Sequence, residues 1–279
     1  MEARDGTSLA VQTWQGSEPG VLYAHANGFS KELWAPTHLE LLQMGVFPTG
    51  AALDMRGQGD SGEASLPLEF ARFGTDVLDV LDALRGEHRI GRDTIGVGHS
   101  SGGAAVAIAA IADHAAFAHL VLVEPIILPP PFERRENSPV TAVALRRRAS
   151  FPDRAAAVAN FKGRGPFAGW RDDAVDAYVD GAMRDTGDEL VLKCSPATEA
   201  EVYRAGWAHD TWAHLHTIAC PVTLLVGADS TTHREPYLSE LAGRFQEIEV
   251  EVVADASHFV PMERPEVIAG AIRHALGQG

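Results

Sequence analysis

Residues 98–102 read Gly-His-Ser-Ser-Gly, a G-x-S-x-G run. It follows the apolar stretch 94–98 and precedes a segment of small residues, 102–112, that has the makings of a buried helix. A serine at such a strand–turn–helix junction presents its hydroxyl to a cleft, and the unpaired N–H groups at the helix start favour negative charge at the same point. Gly98 and Gly102 are the minimal side chains that so tight a turn tolerates. The chemistry this suits is attack by Ser100 on a carbonyl carbon. A serine hydroxyl is a weak nucleophile without an adjacent base. His258 supplies one: it sits in Ser-His-Phe-Val-Pro-Met-Glu-Arg-Pro, between the last predicted strand and the last predicted helix. An acid must then fix the imidazole tautomer. Two carboxylates compete for that role, Glu124 after the apolar run 119–123 and Asp229 after the run 221–226.

The elements that must position these groups are legible as periodicity. Short apolar runs at 20–24, 50–53, 94–98, 119–123, 221–226 and 247–253 suit strands covered on both faces. Helical spacing appears at 70–85, 102–112, 236–245 and 265–276. Alternation of this kind predicts an α/β fold with a mostly parallel central sheet flanked by helices, and open parallel sheets place their sites at the C-terminal ends of their strands. The alternation breaks between 125 and 215, where Pro125, Pro129, Pro130 and Pro131 precede helical segments at 140–149, 154–161, 172–183 and 197–205. The expectation is a core of residues 1–124 and 216–279 with a helical cap of residues 125–215 inserted after the strand ending near Glu124. Trp34, Phe132, Phe151, Phe161, Phe167, Trp170 and Trp207 are candidates to line an apolar pocket beneath the cap, and most of them are expected to be core. The run Arg146-Arg147-Arg148 is expected to be a solvated helix face.

Composition narrows the class. The chain has 279 residues, 46% hydrophobic and 22% charged, which is enough apolar material for a full core and excludes disorder as the main state. With 23 basic against 38 acidic residues the net charge is -15, which repels polyanions, so nucleic acid is not an expected partner. No run is apolar enough to span a bilayer and no targeting segment is visible, so no membrane association is expected. Two cysteines, Cys194 and Cys220, make no disulfide framework, and a cytoplasmic location is the default. No cofactor motif is found. No metal site is expected, since His209, His214 and His216 lack a carboxylate or thiol at ligand spacing.

These motifs together resemble the α/β-hydrolase fold superfamily, over essentially the whole chain. His25-Ala-Asn-Gly-Phe-Ser resembles its oxyanion loop, Asp54-Met-Arg-Gly-Gln-Gly-Asp-Ser its D-x-R-G-x-G-x-S turn, Gly98-His-Ser-Ser-Gly-Gly its nucleophile elbow and residues 257–265 its histidine loop. The resemblance implies an esterase-like serine hydrolase with a helical cap, acting on a small-molecule ester, lactone or related acyl bond without a cofactor. It places the oxyanion donors at the N–H groups of Asn27 and Ser101, with Phe29 as a fallback for the first. Ala26 departs from the usual glycine. The family's G-x-x-D acid position is Ser230 here, with Asp229 one residue early, while Glu124-Pro-Ile resembles haloalkane dehalogenases that carry a glutamate after the preceding core strand. The choice of acid stays open. The resemblance implies structural roles for His25, Arg56 and Asp60. Perhydrolase-like and carbon–carbon bond hydrolase activities use the same triad and are the alternatives, followed by a ligand-binding protein without turnover. Dehalogenase and epoxide hydrolase chemistry needs an aspartate where this chain has Ser100.

Overall fold

The apolar runs form strands where their spacing predicts them. The computed structural model describes residues 1–277. In chain order the strands are β1 (Val11–Trp14), β2 (Ser17–Ala24), β3 (Pro48–Leu53), β4 (Ile95–His99), β5 (His119–Val123), β6 (Ser150–Phe151), β7 (Met183–Asp185), β8 (Leu190–Leu192), β9 (Val222–Gly227) and β10 (Ile248–Val253). The helices are α1 (Ala35–Gln43), α2 (Ala71–Gly86), α3 (Ser101–Ala112), α4 (Pro139–Arg146), α5 (Arg154–Phe161), α6 (Asp172–Ala182), α7 (Pro196–Ala205), α8 (Thr211–His214), α9 (Tyr237–Ala242), α10 (Val260–Glu263) and α11 (Pro265–Ala275).

The main sheet runs β1-β3-β2-β4-β5-β9-β10, parallel throughout except for β1, which pairs antiparallel with β3. Successive strand residues point to opposite faces, and both faces of the central strands are covered; the edge strand β10 departs from the expectation, with Glu249, Val250, Glu251 and Val252 exposed. Leu22, Leu120, Leu122 and Leu224 pack with α2 and α3 residues such as Val77, Leu81 and Val106. Tyr23, Val121, Val123 and Leu225 pack instead with Leu41 of α1 and Ile268 and Ile272 of α11. Helix α3 is Ala-rich and buried over most of its length, as a helix apolar on every side must be. The antiparallel edge strand β1 and helix α1 are additions to the expected elements. The residues of β1, Val-Gln-Thr-Trp, are all half-buried and too few to show an alternation.

Register decides where the site falls. His99 stands opposite Val123, Val123 opposite Leu225, and Gly227 opposite Val253. Strands β4 and β5 therefore end level, β9 and β10 end level with each other two residues further on, and the residues that follow all four emerge at one edge.

Between β5 and β9 lie four of the expected helices, α4 to α7, and one structure that was not expected: a three-stranded antiparallel sheet in the order β6-β8-β7. Its strands of two or three residues are too short to leave a period in the sequence. The core also resumes before residue 216: Trp212 of α8 and Leu215 belong to the α2–α3 side of the main core. The Arg146-Arg147-Arg148 expectation is corrected at its middle residue. Arg146 and Arg148 are exposed, but Arg147 is half-buried and bonds Glu199 and the Tyr178 hydroxyl. A buried guanidinium needs such partners to offset its desolvation. Among the described residues no helix is long and apolar enough to cross a membrane.

Two buried histidines outside the site make stability depend on pH. His38 stacks on Trp14 at 4.5 Å and His209 on Phe70 at 4.4 Å. Burial pushes both imidazoles down to about 4. The unfolded chain takes up these protons near the ordinary imidazole value of about 6.5. The stability they permit is thus complete above that value and is lost as the pH falls toward the folded values of about 4. Urea unfolding at pH 7 and pH 5 is expected to show a loss on the order of 1–2 kcal/mol per histidine. The double variant His38→Asn/His209→Asn should flatten that slope; an undiminished slope would assign the acid sensitivity elsewhere.

Candidate active site

The turn after β4 holds Ser100 at φ 55°, ψ -116°, in the left-handed half of backbone space that a side chain rarely enters. Its neighbours enforce this. A Cβ at Gly98 would lie 2.5 Å from the Gly102 carbonyl oxygen, and one at Gly102 would lie 2.3 Å from that of Ala24. The Ser100 N–H donates to the Val123 carbonyl at 2.9 Å and its own carbonyl accepts from Ile126 at 3.0 Å, which fastens the turn to the end of β5. Ser100 is buried, at the first turn of α3.

His258 reaches the same edge from the loop after β10. The Ser257 N–H and hydroxyl both donate to Glu263, at 2.6 and 2.8 Å, and so close that loop. His99, directly before Ser100, donates from Nε2 to the His258 carbonyl at 2.8 Å, with the two rings 5.1 Å apart. Burial drives the His99 imidazole down to about 3, so it stays neutral and serves to tie the histidine loop to the elbow.

Glu124 also has a positive φ, 48°, and this turns its fully buried carboxyl back over the end of β9. Oε1 accepts from the Gly227 N–H at 2.9 Å. Oε2 lies 2.9 Å from His258 Nδ1, 2.7 Å from the Ser230 hydroxyl and 2.6 Å from the Thr232 hydroxyl. Burial alone would raise this carboxyl; the bonds and charges of His233 and His258 outweigh it and hold the group well below the usual carboxylate range. Asp229 stands apart. It is exposed, its N–H bonds the Ala256 carbonyl at 2.9 Å, and among the described residues its carboxylate has no hydrogen-bond partner. Of the two competing carboxylates, the fold brings Glu124 to His258 and leaves Asp229 on the rim. A single residue separates Asp229 from the inward position, which Ser230 occupies, itself bonding Glu124.

The loop after β2 carries the remaining expected residues. His25 donates from Nδ1 to the Ala26 carbonyl at 2.7 Å and accepts the Met55 N–H on Nε2 at 3.0 Å, which makes it a loop organiser. The Asn27 side chain donates to the Glu199 carbonyl at 2.9 Å, linking the loop to α7. Among the described residues neither the Asn27 nor the Ser101 N–H donates to a protein acceptor. The Phe29 N–H does, to Ala26 at 3.2 Å, so it is less free to serve as the fallback donor. The Phe29 ring instead packs edge-on against Trp170 at 5.4 Å and Tyr178 at 5.7 Å. Arg56 and Asp60 keep to the scaffold: Arg56 bonds Asp76 and Asp5, and Asp60 bonds Lys31 and Lys193. A cavity of about 290 Å³, bordered by Gly169, Asp229, Ser257, His258 and Phe259, opens beside the imidazole.

One residue of the site carries no sequence signal. His233, in the loop after β9, is buried and places Nδ1 2.8 Å from Glu124 Oε2. It belongs to no motif and stands far from Glu124 along the chain, so only the fold reveals it.

Comparison with known proteins agrees with this fold. The model of the alpha/beta hydrolase family matches residues 21–271. A type I acyl-CoA thioesterase, mpaH from Penicillium roqueforti (strain FM164), is 30% identical over 210 residues, 71% of this chain and 46% of that protein. Among solved structures, E-2-(acetamidomethylene)succinate hydrolase superposes with a TM-score of 0.81 at 22% identity, covering 97% of this chain and 96% of that one. A thermophilic esterase from Thermogutta terrifontis gives 0.70 at 20% identity, covering 99% and 96%.

Proposed function

The chain belongs to the alpha/beta hydrolase family, and from that premise we propose that it is a serine hydrolase cleaving an ester-type acyl bond of a small, apolar substrate through an acyl-enzyme. Ser100 Oγ bonds to the acyl carbon while its proton passes to His258 Nε2. Glu124 receives the Nδ1–H of the same ring and keeps it in the tautomer that leaves Nε2 free to accept. The N–H groups of Asn27 and Ser101 meet the oxygen that becomes negative. Collapse of the intermediate breaks the bond to the leaving group, which departs with the proton from His258. Water then attacks the acyl-enzyme by the same route and frees Ser100.

The observation that carries this reading is the placement of His258: its imidazole lies 2.9 Å from Glu124, and its backbone carbonyl accepts from His99, the residue before Ser100. The thioesterase relative at 30% identity extends the range of bonds to thioesters. The cap aromatic residues support an apolar acyl group: Phe161, Trp170 and Tyr178 are buried against Phe29 of the oxyanion loop. A cytoplasmic setting is part of the reading, supported by two cysteines that are both unpaired.

Labelling tests it. A fluorophosphonate probe is expected to add one phosphonyl group to the wild-type chain, on the peptide carrying Ser100, and p-nitrophenyl esters should be hydrolysed with an initial burst. Ser100→Ala should take no label. Equal labelling of that variant would remove Ser100 from the chemistry.

A further inference from the structure

The carboxylate of Glu124 has two histidine neighbours, and the proposed reaction uses one. His233 Nδ1 lies 2.8 Å from Oε2, the oxygen that His258 Nδ1 approaches to 2.9 Å. The other His233 nitrogen, Nε2, lies 3.1 Å from the Pro125 carbonyl oxygen. A carbonyl and a carboxylate both only accept, so in the metal-free chain Nε2 donates to Pro125 and Nδ1 donates to Glu124; Nδ1 must lose its proton before it can ligate. An outer hydrogen bond from one ring nitrogen to a backbone carbonyl is how ligating histidines are commonly held in proteins.

Thr232 completes the group. Its hydroxyl oxygen is 2.6 Å from Glu124 Oε2, 3.1 Å from His233 Nδ1 and 3.2 Å from His258 Nδ1. The two nitrogens and the carboxylate oxygen all lie within 4.8 Å of one another. Tetrahedral zinc with bonds of about 2.0–2.1 Å needs ligand atoms roughly 3.3 Å apart. The 2.8 and 2.9 Å separations of Oε2 from the two nitrogens must therefore open by about half an ångström to reach that spacing. Two imidazoles and one carboxylate suit a borderline cation such as Zn²⁺ and not Mg²⁺ or Ca²⁺, which take oxygen ligands. Entry is available too: His258 is the half-exposed member of the set and borders the cavity on whose rim Asp229 stands.

We propose that Glu124, His233 and His258 bind one Zn²⁺-type cation, with Thr232 Oγ1 or a water in the fourth position, and that the bound cation arrests hydrolysis. Arrest rests on the role given to His258 above; binding does not. On binding, His233 Nδ1 gives up its proton to solvent, while the one N–H proton of the neutral His258 ring moves through solvent from Nδ1 to Nε2, and the two freed Nδ1 lone pairs form the metal bonds. His258 Nε2 then has no lone pair for the Ser100 proton. Glu124 is drawn into the metal bond at the same time. The ligands come from three separate loops, which is why no spacing in the sequence announces the site.

The test uses the full chain after dialysis against EDTA, with ZnCl₂ as the probe. Calorimetric titration of wild type and of Ser100→Ala should each give one cation per chain, since the serine is not a ligand. Hydrolysis of p-nitrophenyl acetate by wild type should be inhibited over the same concentrations and restored by EDTA. His233→Asn and His233→Phe should each raise the half-inhibitory zinc concentration at least about tenfold relative to their own zinc-free rates. Absence of stoichiometric binding to the wild type, or equal zinc sensitivity in both His233 variants, would overturn the proposal. Stoichiometric binding by a chain that hydrolyses no ester would keep the site and sink the hydrolase reading, so the two fail separately.

Discussion

Glu124→Gln is expected to lower kcat about 10⁴-fold with little change in KM. The reason lies in which oxygen does what. The Gly227 N–H donates to Oε1, so the amide oxygen of a glutamine takes that position and its NH₂ takes the place of Oε2. That NH₂ faces His258 Nδ1 and can only donate to it. The imidazole must then turn its lone pair to Nδ1 and its proton to Nε2, the wrong tautomer for receiving a proton from Ser100. Asp229→Asn alters an exposed carboxylate that has no side-chain partner among the described residues, and its kcat should stay within about twofold of wild type. The reverse outcome, an active Glu124→Gln and an inactive Asp229→Asn, would move the acid to the rim.

The second large effect is on folding. At Gly102 an added Cβ would meet the Ala24 carbonyl oxygen at 2.3 Å and the His25 carbonyl oxygen at 2.5 Å. Both are backbone atoms at the point where β2 passes into the loop that carries Asn27, and neither yields as a flexible side chain would. Gly102→Ala should cost about 3 kcal/mol or more, a fall in Tm of roughly 6–12 °C for a chain of this size. Activity should fall further than stability, because the strand end that must move carries Asn27. Gly270→Ala is the control. Its Cβ would meet nothing within 4 Å, on α11, and alanine there should stabilise by about 0.5–1 kcal/mol. Scanning calorimetry of both variants checks the pair, and an unshifted Gly102→Ala transition would mean that the elbow has slack.

How much of this was legible beforehand follows from what leaves a local trace. The buried strands did, because residues covered on both faces form unbroken apolar runs: the predicted 119–123 is β5 to the residue. The elbow did, because its geometry demands glycine at fixed offsets. The choice between Glu124 and Asp229 did not. It depends on a positive φ at Glu124 and on the pairing of β5 with β9, which puts the Gly227 N–H under one oxygen and the Ser230 hydroxyl under the other. No window of neighbouring residues contains that information. The same holds for His233, and for Arg147, whose partners Tyr178 and Glu199 arrive from two other helices. The short strands β6, β7 and β8 lacked the length to show a period at all.

The aromatic cluster of the inserted segment has a consequence for how the protein can change over generations. Phe161, Trp170 and Tyr178 share one buried cluster with Ala26, Phe29 and Leu33 of the loop after β2 and Met262 of α10. The insertion is therefore not an interchangeable module resting on a finished enzyme. A transplanted segment lacking the partner for Phe29 would loosen the loop that carries Asn27, the proposed oxyanion donor, so new selectivity must arrive as paired changes on both sides of that seam.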